Sequence, residues 1–156
     1  MLSNSANAAV ITSDWKSVSD QLITRDTVSG LDWLNLTETN NMSYTAVNSQ
    51  LSSGGIFEGW RYATNDEVVF LWNNFSIDLS PRPEFSVDGL DPGLIEASSF
   101  LGNIMNEYAS GYIAGLLGYT SDSISNNRHT RLGAYALGAN LAGNTVPVTT
   151  YNHMGD

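Results

Sequence analysis

The sequence predicts an α+β domain with a small mixed or antiparallel sheet, two or three helices and a loop-rich second half. Three observations lead there. Apolar residues recur at helical spacing within 43–53, 64–75 and 92–108, while 20–36 and the chain beyond 111 show short apolar runs bounded by Gly, Ser and Asn. With 156 residues, 42% of them hydrophobic, the chain can bury one real core and is short for two. Its 14 glycines and 4 prolines fit a fold with many turns better than a collagen-like or disordered chain.

The first element is a strand pair. "DQLITRDTVSGLDWLNL", Asp20 to Leu36, sets Leu22, Ile23 and Val28 against Leu31, Trp33, Leu34 and Leu36 around a Ser29-Gly30 turn, the pattern of a hairpin or bent ribbon. A short amphipathic helix follows, with Ser43 placed to cap it, Tyr44, Val47 and Leu51 on one face, and Gly54-Gly55 as its stop. "GGIFEGWRYATNDEVVFLW", Gly54 to Trp72, then predicts a brief strand at Trp60-Arg61-Tyr62 and a second helix opened by Thr64-x-x-Glu67. That spacing is a capping box: the threonine hydroxyl accepts from the Glu67 N–H, and the glutamate carboxylate accepts from the threonine N–H. Val68, Leu71, Trp72 and Phe75 fall at i, i+3, i+4 and i+7, a core-facing stripe.

"SPRPEFSVDGLDPG", Ser80 to Gly93, reads as loop. Asp91 before Pro92 then caps a third helix, in which Leu94, Ala97, Leu101, Ile104, Met105 and Tyr108 carry the period to about Tyr108, with Gly102 inside it. From Gly111 onward, "GYIAGLLGYTSDS", "TRLGAYALGANL" and "NTVPVTTY" predict short strands separated by turns.

Charge and composition remove whole classes of function. Sixteen Asp and Glu against six Lys and Arg give a formal net charge of −10, and Lys16 is the sole lysine. No basic stripe exists to neutralise phosphates, so nucleic acid is not an expected partner. The acids are scattered, as on a solvated surface; cation binding or a saline medium is the alternative. Without cysteine there is no disulfide, thiolate metal site or Cys nucleophile, and two histidines, His129 and His153, are too few for a multi-His zinc or copper site. No apolar run reaches the roughly eighteen residues of a membrane span. "SANAAV" carries Ala6-Asn7-Ala8, a small-x-small cleavage pattern, so residues 1–9 are expected to be a residual signal-peptide tail or an N-terminal extension before a single domain at 10–156. Export is the corresponding expectation.

The succession "SGLDWLNLTETNNMSYTAVNSQLSSGGIFEGWRYATNDEVVFLW", Ser29 to Trp72, resembles the core of a group of exported bacterial proteins, many bearing PEP-CTERM sorting tails, the match spanning roughly Asp26 to Trp72. In these a Gly-Leu-x-Trp-Leu segment precedes a Met-Ser-Tyr helix and a Gly-Gly-x-Phe-x-Gly-Trp-Arg-Tyr-Ala-Thr-x-x-Glu-Val run. That group is distantly similar to the C-terminal domain of a collagen-like bacterial adhesin, and so to C-type-lectin-like folds. The resemblance implies a terminal strand pair, helices against a sheet, and specificity carried by the second half. Its structural signature here is Trp33, Tyr44, Trp60, Arg61, Thr64, Glu67 and Trp72. The adhesin domain binds sulfated polysaccharides, to which the −10 charge of this chain is opposed. Related domains usually close with a further apolar strand after a Gly-rich loop, where this sequence reads "YNHMGD"; an edge left open there invites pairing with a neighbour.

Arg61 has two readings. In the structural one it lies on a short strand and pairs with Glu67 or Asp32 while Trp60 and Tyr62 pack beside it. In the functional one Trp60 and Tyr62 are a sugar-stacking platform and Arg61 binds hydroxyls. For a ligand site, "SNNRHT" offers Asn126, Asn127, Arg128 and His129 on a surface loop. For a metal, Glu84, Asp88 and Asp91 could supply oxygens to calcium, although they lack the D-x-D-x-D-G spacing. Calcium is thus the one cofactor the sequence leaves open. No catalytic set is assigned, and the cysteine chemistry of sulfatase modifiers of similar fold is absent. The expected function is that of a secreted, non-enzymatic surface or matrix protein that self-assembles as a homo-oligomer or filament through its terminal strands, or mediates adhesion. The alternative is a carbohydrate-binding module, calcium-dependent or not.

Overall fold

The computed structural model describes residues 10–77, 92–102, 112–124, 128–137 and 151–154. The chain is α+β, with three α-helices among the described residues and two three-stranded antiparallel sheets where one was expected.

The first sheet is a meander of β1 (Val10–Ser13), β2 (Ile23–Asp26) and β3 (Leu31–Leu34), in that order. Strands of four residues hold little by themselves. The face that β2 turns inward is polar, for Thr24 and Asp26 are both buried. Each is satisfied by hydrogen bonds, as a buried polar group must be. Asp26 accepts from the N–H groups of Val28 and Ser29 and from the Ser29 hydroxyl, closing the predicted turn, and from Asn74 Nδ2 at 2.7 Å. The Thr24 hydroxyl donates to the Phe100 carbonyl at 2.9 Å. On the outer face Arg25 lies opposite Asp32, and its guanidinium makes two bonds to the carboxylate, both 2.7 Å. Between β1 and β2, Asp20 accepts from the N–H groups of Trp15, Lys16, Ser17 and Leu22, which hold its carboxyl below the usual range, that of Trp15 most strongly.

A 3₁₀ turn, Leu36–Thr39, is capped by Asn35, whose side chain accepts from the Thr37 N–H at 3.0 Å. Ser43 caps α1 (Tyr44–Asn48) as predicted, accepting from the Ala46 N–H at 3.1 Å. The helix is shorter than its apolar spacing implied, because 49–59 winds into successive turns that bring the Phe57 N–H back to the Gln50 carbonyl at 3.0 Å. The capping box of α2 (Asn65–Asn74) is complete, with Glu67 N–H to Thr64 Oγ1 at 3.2 Å and Thr64 N–H to Glu67 Oε2 at 2.8 Å.

Helix α3 spans Pro92–Leu101. It stops short of the expected Tyr108 because Gly102 takes φ +88, a left-handed conformation suited to a helix C-terminus. Ile104, Met105, Tyr108 and the cap residue Asp91 lie outside the described residues. Gly93 backs so closely onto the Phe75 carbonyl that any Cβ would clash, so glycine fixes the approach of α3 to the end of α2.

The second sheet departs most from expectation. β4 (Tyr112–Ile124) and β5 (Arg128–Leu137) form one long hairpin, and β6 (Tyr151–Met154) pairs with β5. The segments 111–123 and 130–141, expected as short strands, overlap β4 and β5, and Gly115, Gly118 and Gly133 within them are inside the ladder. Register shifts between Tyr119 and Ser123, and there the Ser121 N–H reaches the Ala63 carbonyl at 2.8 Å. The segment Trp60-Arg61-Tyr62, expected as a brief strand, joins neither sheet.

One hydrophobic cluster unites these parts. It contains Leu71, Trp72 and Phe75 of the α2 stripe, Ile77, Leu94, Ala97 and Leu101 from α3, and Leu116 from β4. Val10, Trp33, Leu36, Val68 and Phe100 pack against it.

Candidate functional site

The residues from Gln50 to Gly59 are built as turns and 60–63 as irregular chain, and the aromatic side chains of this region divide into two clusters. Trp15 stacks on Phe57 with ring centroids 5.8 Å apart, and Trp60 meets Trp15 edge-on at 6.2 Å. Lys16 Nζ lies over the Trp15 ring, 3.5 Å from its centroid. In the second cluster Tyr62 stacks on Tyr44 at 4.2 Å, with Tyr119 of β4 edge-on to Tyr44 at 6.0 Å. The Tyr62 hydroxyl donates to the Tyr44 carbonyl at 3.0 Å. Burial, with Tyr44 and Tyr119 beside it, pushes the Tyr62 phenol well above its usual range.

Arg61 lies between the clusters in sequence and points outward. Its guanidinium bonds both carboxylate oxygens of Glu67, at 2.8 and 2.6 Å, and the Tyr62 carbonyl at 3.0 Å. This is the structural reading of Arg61, and the partner is Glu67; Asp32 pairs with Arg25 instead. The Arg61 guanidinium first, and the Thr64 N–H second, lower Glu67 to about 2. The same carboxylate therefore ties the 60–64 segment to α2 and caps the helix. β4 adds a second tie, since Asp122 accepts from the Asn65 N–H and the Thr120 hydroxyl donates to Asn65 Oδ1 at 2.7 Å. Each cation of residues 10–77, Lys16, Arg25 and Arg61, has a carboxylate partner.

A cavity of about 770 Å³ opens between β3, the 3₁₀ turn, the 57–63 segment, α2 and β4. Five of the seven signature residues line it: Trp33, Trp60, Arg61, Glu67 and Trp72. The other two touch its walls, Tyr44 through Tyr62 and Thr64 through Glu67. The Trp33 indole N–H is buried without a hydrogen-bond partner, so packing alone holds that ring.

The remaining sequence candidates do not converge here. Arg128 and His129 are on β5, opposite Ile124 and Ser123, rather than on a loop; Asn126 and Asn127 lie outside the described residues, as do Glu84, Asp88 and Asp91. Among the described residues no group of three or more His, Cys, Asp or Glu is placed to hold a metal ion, and no helix is long and apolar enough to cross a membrane. Sequence reasoning missed Trp15, Lys16, Tyr119 and the polar ties of Asp26 and Asp122. The "DTVSG" turn signalled the local bonds of Asp26, whereas nothing near it in sequence marked Asn74. No family model, curated protein or solved structure matches the chain.

Proposed function

We propose that the chain is an exported, non-enzymatic, C-type-lectin-like domain that self-assembles or mediates adhesion at a cell surface or in an extracellular matrix. The observation that carries this reading is the placement of its first and last strands. β1 and β6 each occupy an edge of a three-stranded sheet, so the two ends of the described chain present strands with one side free of sheet partners among the described residues. Natural edge strands are commonly blunted by charge or proline. β1 is "VITS" and β6 is "YNHM", with no Lys, Arg, Asp, Glu or Pro in either. Ile11 of β1 is 48% exposed. An apolar side chain on an uncharged edge favours the addition of a further strand, and a second copy of this chain supplies one.

Light scattering with electron microscopy across a concentration series tests the reading. Concentration-dependent oligomers or filaments are expected, and Ile11→Lys should raise the concentration needed for them at least tenfold. A wild-type monomer at every concentration would sink self-assembly; a glycan array with and without calcium then decides whether the domain binds carbohydrate.

A further inference from the structure

We propose that the cavity beside β3 binds an uncharged small molecule with an aromatic or branched aliphatic body and a hydroxyl or carbonyl group at one end. The site is independent of the β1 and β6 edges, neither of which lines it.

Size comes first. At about 770 Å³ the cavity falls in the range of roughly 300–1,000 Å³ typical of small-molecule sites. The space is not the hollow of a poorly packed core, because Phe57, Leu71 and Leu116 beneath it are at most 2% exposed. Above them the walls are half-buried and apolar: Leu34, Leu36, Met42, Leu51, Trp60 and Val68. A glycan would turn its hydroxyls toward these side chains with nothing to accept from or donate to, and an apolar body avoids that cost.

The electrostatics select the charge of the occupant. Three residues with ionic side chains are among the cavity lining, Asp32, Arg61 and Glu67. Asp32 is matched by Arg25, and Arg61 and Glu67 are matched by each other. Tyr62 stays a neutral phenol at neutral pH, since burial raises its pKa. An anion or a cation entering the cavity would lose water without meeting an unmatched opposite charge, whereas a neutral molecule meets no such penalty. The uncharged polar residues of the lining are Asn35, Thr39, Asn40 and Asn41 in or beside the 3₁₀ turn, with Tyr62 on the 57–63 segment and Tyr119 and Thr120 on β4. The four grouped at the 3₁₀ turn give the ligand one polar end.

The test uses two dyes that differ chiefly by a sulfonate: neutral N-phenyl-1-naphthylamine and anionic 1-anilinonaphthalene-8-sulfonate. The neutral dye is expected to bind saturably at one per chain, with energy transfer from Trp33 and Trp60 in the walls, and the anionic dye at least tenfold more weakly. Met42→Trp and Leu51→Trp each narrow the cavity and should weaken the neutral dye at least tenfold with far-ultraviolet circular dichroism unchanged; if one misfolds, the other decides. Val18→Ala, far out on the surface at 92% exposure, should leave binding as it is. Ile11→Lys should bind the dye like the wild type, which separates a site in the monomer from dye uptake by assemblies. The proposal is overturned by non-saturable binding, by equal affinity for the two dyes, by indifference to both cavity-filling variants, by loss of binding in Ile11→Lys, or by displacement of the dye by a neutral oligosaccharide.

Discussion

The two sheets are held by different physics. β1 to β3 are four residues each, and the sheet is fastened to the helices by two buried polar side chains, Asp26 to Asn74 on α2 and Thr24 to Phe100 on α3. β4 and β5 run for 13 and 10 residues, and a long antiparallel backbone ladder holds them to each other, with Thr120 and Asp122 of β4 tied to Asn65 at the start of α2. A short meander depends on individual atoms far away in sequence, while a long hairpin distributes the same task over many equivalent bonds. Point substitutions should therefore damage the first sheet out of proportion to its size.

The largest effect is expected at Asp26. Removing its carboxylate in Asp26→Ala leaves the Asn74 amide and two turn N–H groups without their buried partner, and urea denaturation should show a loss of about 3 kcal/mol. Hydrogen exchange in the same variant should rise first in β1 to β3; uniform acceleration across β4 and β5 would erase the contrast. Thr24→Val, which keeps the shape and deletes the donor to Phe100, should cost about 1–2 kcal/mol.

Next comes the acid limb. The Glu67 carboxyl is lowered from 4.5 to about 2 in the fold, so its stabilising contribution is complete above pH 4.5 and is lost as pH falls towards 2. With Arg61 largely exposed, about 1 kcal/mol is expected from the capping box and ion pair together. Glu67→Gln should remove that pH dependence between 4.5 and 2 from denaturation curves; an unchanged slope would rule out this role. The smallest effect belongs to Arg25→Ala, whose surface pair with Asp32 should be worth less than about 0.5 kcal/mol by thermal melting.

The same contrast explains what the sequence disclosed. The Ser29-Gly30 turn, the Ser43 cap, the Thr64–Glu67 box and the stripe from Val68 to Phe75 are decided within a few residues, and each is present in the fold. Ties across 48 or 76 residues, such as Asp26 to Asn74 and Thr24 to Phe100, leave no local trace. The strands of the second hairpin were legible as segments, but their pairing into one long ladder was not. Glycine within a strand costs backbone entropy, and the long cross-strand pairing that overrides this cost links residues far apart in sequence. At the candidate site, the residue types were legible from 54–72; their arrangement around a cavity was not, because β3, the 3₁₀ turn and β4 supply the opposite walls.

Lys16 resting on Trp15 has a practical corollary. It is the only lysine side chain of the chain, and its ammonium lies 3.5 Å from the centre of an indole that itself stacks on Phe57. Amine-directed acylation therefore has one side-chain address, next to a natural fluorophore. Coupling there neutralises the ammonium above the ring, so the progress of the reaction is readable in the emission of Trp15, and a surface-immobilised preparation made through lysine presents every copy by the same face.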